Sequence, residues 1–263
     1  MVVRHERRAE DDGFRSHLAP GLRATEDAQR LATEIAFACG RLSTLEREPP
    51  GLYARIAAEP DIEQATWAAL LTAYIGPLEG EQPFAAIESA LTPWPALPDL
   101  ADVALGPRTA HDRARGDATL SAYLRFAERA GGQEAALVAD HAWNAEQRFE
   151  RTCERLALPG LHRQARYDML VTLGRLGRYE LSAPALLLTE DGPVMLAAKR
   201  IFGIGDRMTL ERRSRELAHQ AGVPIDALDL GLENWARAER ITQGTPDARD
   251  DDALERAAAA LGL

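Results

Sequence analysis

Lysine is almost absent from this chain of 263 residues: Lys199 stands alone among 31 basic residues, and the rest are arginine. Cysteine is scarce as well. Cys39 and Cys153 are the whole supply, too few for a four-cysteine zinc or iron–sulfur site, and they offer no basis for a disulfide scaffold. No apolar run approaches the roughly 18 residues that a membrane-spanning helix requires, which excludes a helical membrane protein. Met1 to Asp12 are charged and lack an apolar stretch, so no secretory signal is expected and a cytoplasmic protein is. Alternation of apolar and polar residues is missing too. Leu186-Leu187-Leu188-Thr189 comes nearest to a strand, and it is short. There is no low-complexity tract and no repeat of fixed period.

What is present is helical in character. Hydrophobic residues make up 46% and charged residues 27%, the balance of an ordinary globular protein. Ala, Leu, Glu and Arg dominate, while Gly and Pro fall mostly at segment ends. The spacing predicts helices over Thr25–Leu45, Leu52–Ala58 and from Asp61 onward. In the last of these Trp67, Leu70, Leu71, Tyr74 and Ile75 recur at three- and four-residue steps. Further helices are expected over Phe84–Leu91, Asp117–Ala130 and Arg163–Gly174, with a short Ala-rich one over Asp252–Leu261. Gln133–Leu156 reads as one long helix, because Val138, Ala142, Ala145, Phe149, Cys153 and Leu156 share a face.

The expected architecture is all-α, with two helical subdomains and a cleft between them. Residues 1–24 read as an N-terminal arm. Residues 25–115, completed by 216–244, form one subdomain; residues 116–215, with a hairpin over 156–175, form the other; residues 245–263 form an acidic tail.

Net charge is −10, which argues against a protein that coats nucleic acid nonspecifically. The charge is uneven, however. Residues 148–215 carry 13 basic and 8 acidic groups, against 14 and 23 before them and 4 and 10 after. A phosphate-bearing partner is expected to dock on that middle segment.

Within it, Leu158-Pro159-Gly160-Leu161 separates two amphipathic stretches. A tight turn there presents the free N–H groups of the following helix, an anion site to which Arg163 and Arg166 add charge. Pro-Gly turns are common, and by itself this one reads as an ordinary helix–helix connection.

The whole segment resembles the helix-hairpin-helix DNA glycosylase superfamily, the endonuclease III and adenine glycosylase group. That family carries a hairpin Leu-Pro-Gly-Val-Gly, then a helix, a loop, and an Asp that opens another helix. Here the corresponding run is Asp191-Gly192-Pro193-Val194, followed by Lys199-Arg200-Ile201-Phe202-Gly203. Two further echoes are Trp67–Tyr74, similar to an early Leu-Leu-Ser-Ala-Gln helix end, and Ala227–Leu232, similar to a late helix. The resemblance implies a DNA-binding turn built from Pro159, Gly160, Leu161, His162, Arg163, Gln164 and Arg166. It implies Asp191 as the catalytic carboxylate, facing the Thr72–Ile75 region across the cleft.

Four departures from the pattern are informative. His162 replaces the second hairpin glycine, which lets backbone approach phosphate. Gln164 occupies the Schiff-base lysine position, and a glutamine cannot form an imine, so a monofunctional enzyme without lyase activity is implied. The family's iron–sulfur cysteines are absent. The 32 positions from Pro159 to Asp191 also exceed the family spacing, so the loop after Gly174 is longer.

Base loss by a dissociative path builds positive charge on the deoxyribose, which a nearby carboxylate stabilises while it orients water. Asp191 would do this, with Glu190 as an alternative acid and Lys199 as an auxiliary group. The plain alternative for Asp191 is a helix N-cap, since Asp-Gly-Pro is a common helix start. Tyr74, Trp67 and Trp143 are candidates to stack on an extruded base or to wedge beside it; aromatics at this spacing also serve as core. His141, and the Arg212, Arg213 and Arg215 cluster, are further polar candidates. The expected partner is duplex DNA with a damaged or modified base, met by a cytoplasmic, nucleoid-associated monomer with no metal, redox cofactor or membrane. The alternative is a non-catalytic helix-hairpin-helix module that binds nucleic acid.

Overall fold

The structure is a computed structural model that describes residues 9–190, 192–237 and 239–263. Among the described residues there are twelve α-helices and no strand. They are α1 Thr25–Arg47, α2 Leu52–Ala58, α3 Ile62–Ile75, α4 Ala85–Ala90, α5 Gly116–Ala130, α6 Gln133–Val138, α7 Ala145–Arg155, α8 Arg163–Arg175, α9 Pro193–Phe202, α10 Arg207–Ala221, α11 Ile225–Trp235 and α12 Asp251–Leu261. None of them is long and apolar enough to cross a membrane.

The chain divides into two compact units. One holds the described residues up to Ser43, together with Ala185–Ile241 and Pro246–Leu263; the other holds Thr44–Pro184 and Thr242–Thr245. This grouping differs from boundaries near 115 and 215. The apolar face of α9 (Val194, Ala197, Ala198, Ile201) packs on α11, which draws α9 and α10 into the first unit.

The second unit is built around α3. Every residue from Ala65 to Ile75 is buried, as expected of a helix that is apolar nearly all round. Asp61 caps its start by accepting from the Glu63 N–H at 2.9 Å. Helices α2, α4, α6 and α8 pack around it. Beside it, Arg108 lies with 1% of its side chain exposed and grips Asp168 of α8 through two bonds of 3.0 and 2.9 Å. Gln243 donates to the same carboxylate at 3.1 Å, while its carbonyl accepts from the Tyr53 hydroxyl at 3.0 Å. Residues 242–245 are thereby clasped into this unit.

The long helix expected over 133–156 is two helices. Helix α6 stops at Val138, where Ala139 takes a φ of 51°. A capping box restarts the helix at α7: Asn144 accepts from the Gln147 N–H at 2.8 Å, and the Gln147 side chain accepts from the Asn144 N–H at 3.1 Å. Thr152 donates to the Leu137 carbonyl at 3.1 Å, so α7 folds back on α6. The shared apolar face belongs to two short helices meeting one core.

In the first unit α11 is the central helix, buried over Asp226–Trp235. Gly231 lies where a Cβ would come within 3.3 Å of the Glu34 carbonyl oxygen on α1, so only glycine fits that crossing without adjustment. Trp235 donates to the Asp27 carbonyl at 2.9 Å, with Arg30 and Arg200 at 5.2 and 4.8 Å from its ring.

The N-terminal end of the chain departs from expectation. From Ser16 on, the N-terminal segment is docked: Ala19 and Leu22 are buried, and Gly21 N–H donates to the Ile201 carbonyl at 2.8 Å. The acidic tail carries the Ala-rich helix expected over Asp252–Leu261, observed as α12 Asp251–Leu261. Ala253, Ala257 and Leu261 form the buried face of α12 against α10. In each case the charged residues sit beside an apolar set that finds a helix to cover.

Candidate functional site

Helices α7 and α8 pack on one another in the second unit, joined by residues 156–162. The Leu156 N–H bonds to Thr152 O at 2.9 Å, closing α7, and the Leu161 N–H bonds to Leu158 O at 3.0 Å, closing the turn around Pro159-Gly160. Gly160 takes a φ of 81°, a region costly for any residue with a Cβ. Pro159 is exposed at the tip, and Leu161 is buried beneath it. His162 is exposed and occupies the N-cap of α8. Its side chain makes no capping bond, and no acidic residue stands in the first turn.

The two arginines expected to add charge at this turn are arranged differently. Arg163 is buried at 8% exposure, with its guanidinium 4.0 Å from the Tyr167 ring centroid. Arg166 is half-buried and donates to the Cys153 carbonyl at 2.7 Å, bracing α8 against α7. Burial pulls the Arg166 guanidinium below its ordinary pKa. Gln164 is half-buried.

Thr119 lies directly under the turn. A methyl on Gly160 would sit 2.0 Å from Thr119 Oγ1 of α5. Thr119 donates to the Arg115 carbonyl at 3.2 Å. His111 Nδ1 and the Tyr74 hydroxyl share a hydrogen bond at 3.3 Å. Burial pushes the Tyr74 phenol up, and burial followed by the nearby Arg113 pushes the His111 imidazole down. His111 is therefore neutral at pH 7.

Trp67 and Tyr74 are fully enclosed. Trp67 lies against Trp94 and Tyr123, with centroids at 5.3 and 6.1 Å, and Tyr74 meets His111 edge-on at 5.4 Å. Neither ring has a free face for a base. Trp143 is half-exposed, and its carbonyl accepts from Arg148 at 2.8 Å. His141 is exposed.

Asp191 lies outside the described residues. Its chain neighbours belong to the first unit: Glu190 is exposed, and α9 begins two positions beyond Asp191, at Pro193, with Lys199 exposed on it. Of the arginine cluster, Arg212 pairs with Glu216 at 3.7 Å, and Arg213 donates to the Phe202 carbonyl. Sequence reasoning passed over Thr119, His111 and Glu211. The last is buried on α10 and accepts from the N–H groups of Leu186 and Leu188. Each acts through a partner 23 to 41 positions away, so no local spacing marks it. No group of His, Cys, Asp and Glu among the described residues is placed to hold a metal ion.

No family model matches the chain, and comparison with curated proteins and with solved structures finds no match.

Proposed function

We propose that this protein acts on duplex DNA as a monofunctional N-glycosylase, hydrolysing the bond between a base and its deoxyribose. One observation carries the reading. Helices α7 and α8 flank Leu158–His162, the turn closes around a left-handed Gly160, and a further helix opens two positions after Asp191. That is the order of elements on which the resemblance to the helix-hairpin-helix glycosylases rests. In this reading α8's first-turn amides and the exposed His162 engage a backbone phosphate. Asp191 stabilises the developing oxocarbenium charge and orients the attacking water. Gln164 cannot form an imine, so the product is an intact abasic strand.

The test is excision from duplexes carrying a panel of damaged or modified bases, with abasic sites revealed by alkali. Wild type is expected to generate abasic product on at least one duplex and no strand break before alkali. Asp191→Asn is expected to lower the rate by at least about a hundredfold. Unchanged excision by Asp191→Asn would refute its role. Salt-sensitive binding that survives Asp191→Asn, with no abasic product from wild type, would leave a binding module instead.

A further inference from the structure

Trp67 and Tyr74 are enclosed, so the large apolar side chains open to a partner lie elsewhere. Among the described residues, Ile204 is 97% exposed, Met208 78% and Leu196 50%. All three fall in one stretch of the first unit, formed by α9, the turn Gly203-Ile204-Gly205 and the first turn of α10. The turn is held on both sides. Arg213 of α10 donates to the Phe202 carbonyl, and Asp206 accepts from the Thr209 N–H at 2.8 Å. Gly203 takes a φ of 83°, and a Cβ on Gly205 would come within 3.2 Å of Thr209. Phe202 and Leu210 on either side are fully buried. A fixed turn therefore presents Ile204 outward while its neighbours enter the core.

The same stretch is basic. Residues 192–215 carry six basic and two acidic side chains. Both acids are committed: Asp206 caps α10, and Glu211 is buried against the Leu186 and Leu188 amides. Lys199 and Arg207 are exposed and make no ion pair with a described residue. An apolar tip with a basic rim fits a partner that carries anions outside and apolar faces within. Duplex DNA has that chemistry, with phosphates around a stack of bases. A lipid surface fits less well. Ile204 and Met208 contribute roughly 1.5–3 kcal/mol each when fully buried, which is marginal anchoring, and the net charge of −10 opposes an anionic leaflet. A symmetric second copy would set two basic rims face to face.

We propose that the α9–α10 turn is a DNA-contact surface in which Ile204, backed by Met208, enters the base stack while Lys199 and Arg207 hold flanking phosphates. The inference takes its partner from the glycosylase reading and names the side chain that opens the stack. A base leaves the duplex more readily when an apolar group held in place fills the gap behind it. Ile204 is apolar, has few rotamers and stands on a turn fixed from both sides.

The experiment compares full-length wild type, Ile204→Ser, Ile204→Leu and the double variant Lys199→Gln/Arg207→Gln. The probe is a duplex with a central mismatch and 2-aminopurine beside it, whose fluorescence rises on unstacking. Duplex Kd is measured across a salt series, and phosphatidylserine–phosphatidylcholine vesicles and sedimentation test the other occupants. Wild type is expected to raise the fluorescence several-fold. Ile204→Ser should abolish most of that rise and Ile204→Leu should keep it, with melting unchanged in both because the side chain is exposed. The double variant should bind several-fold more weakly in low salt, with a slope of log Kd against log salt reduced by about two. A full fluorescence rise with Ile204→Ser would overturn the inference, as would an unchanged salt slope in the double variant. Binding that depends on Ile204 for vesicles, or a dimer that Ile204→Ser dissolves, with no Ile204-dependent signal on DNA, would overturn it in favour of that occupant. Unstacking is read without excision, so the two readings separate. If wild type unstacks the duplex through Ile204 yet excises no base, the glycosylase reading falls alone. If it excises a base and Ile204→Ser unstacks normally, the inference alone falls. If wild type binds no duplex, both fall.

Discussion

Two side chains in the second unit show how much a buried partner decides. Arg108 is almost wholly enclosed, and its guanidinium is held by both oxygens of Asp168. Removing one member leaves the other charge desolvated, so Asp168→Ala is expected to lose about 3–5 kcal/mol in urea unfolding. A loss below about 1 kcal/mol would show that Arg108 finds water or another acceptor. His111 makes a pH prediction. Its folded-state pKa is depressed, first by burial and then by Arg113. The unfolded chain therefore binds this proton at a higher pH than the folded chain does. The contribution of the neutral imidazole is fully present above about pH 7 and is lost as pH falls through the unfolded value near 6.5 toward the folded one. Unfolding midpoints measured from pH 8 to pH 5 should fall more steeply in wild type than in His111→Phe; parallel curves would remove His111 as the cause.

At the scale of elements, legibility depended on whether a boundary is marked locally. Helix α3 could be read because Asp61 caps it, Pro77 follows it, and its apolar residues repeat at helical steps. The break between α6 and α7 was missed for an equally physical reason: Val138 to Leu156 keep a helical register across it, since both helices pack into one core. The Asn144-x-x-Gln147 capping box stands in the sequence, but the continuous apolar register conceals it. Asn144→Ala is expected to cost about 1 kcal/mol and to fray α7 first, visible as faster amide exchange at residues 145–148. The α7–α8 turn was legible as a turn, whereas Thr119 beneath it was not. Gly160→Ala must place a methyl 2.0 Å from Thr119 Oγ1 and keep a positive φ. A loss of about 2–5 kcal/mol is expected. In the Thr119→Ala background the 2.0 Å clash is removed, leaving the backbone strain and a tight contact with the Cβ of residue 119 at 3.2 Å, so the same change should cost roughly half as much. Equal costs in both backgrounds would show that the turn moves away from α5.

For the whole molecule, connectivity matters more than either unit's own core. Neither unit is a continuous piece of chain: the first is assembled from three segments and the second from two. No local signal in the sequence sends residues 242–245 back to a unit that otherwise ends at Pro184. Those four residues complete the second unit through Gln243 on Asp168, Tyr53 on the Gln243 carbonyl, and Thr242 on Glu79 at 3.0 and 2.8 Å. The segment that follows them, ending in α12, completes the first unit against α10. Truncation after Ile241 removes a part of each unit at one stroke. The shortened chain should therefore lose cooperative melting throughout, with amide protection falling in α3 and α8 as well as in α9–α11. Truncation after Gly244 retains the Gln243 bonds and removes α12, so it should lower protection in α10 and α11 while sparing α3 and α8. If both truncations left the same residues protected, the clasp at 242–245 would contribute nothing beyond what α12 provides.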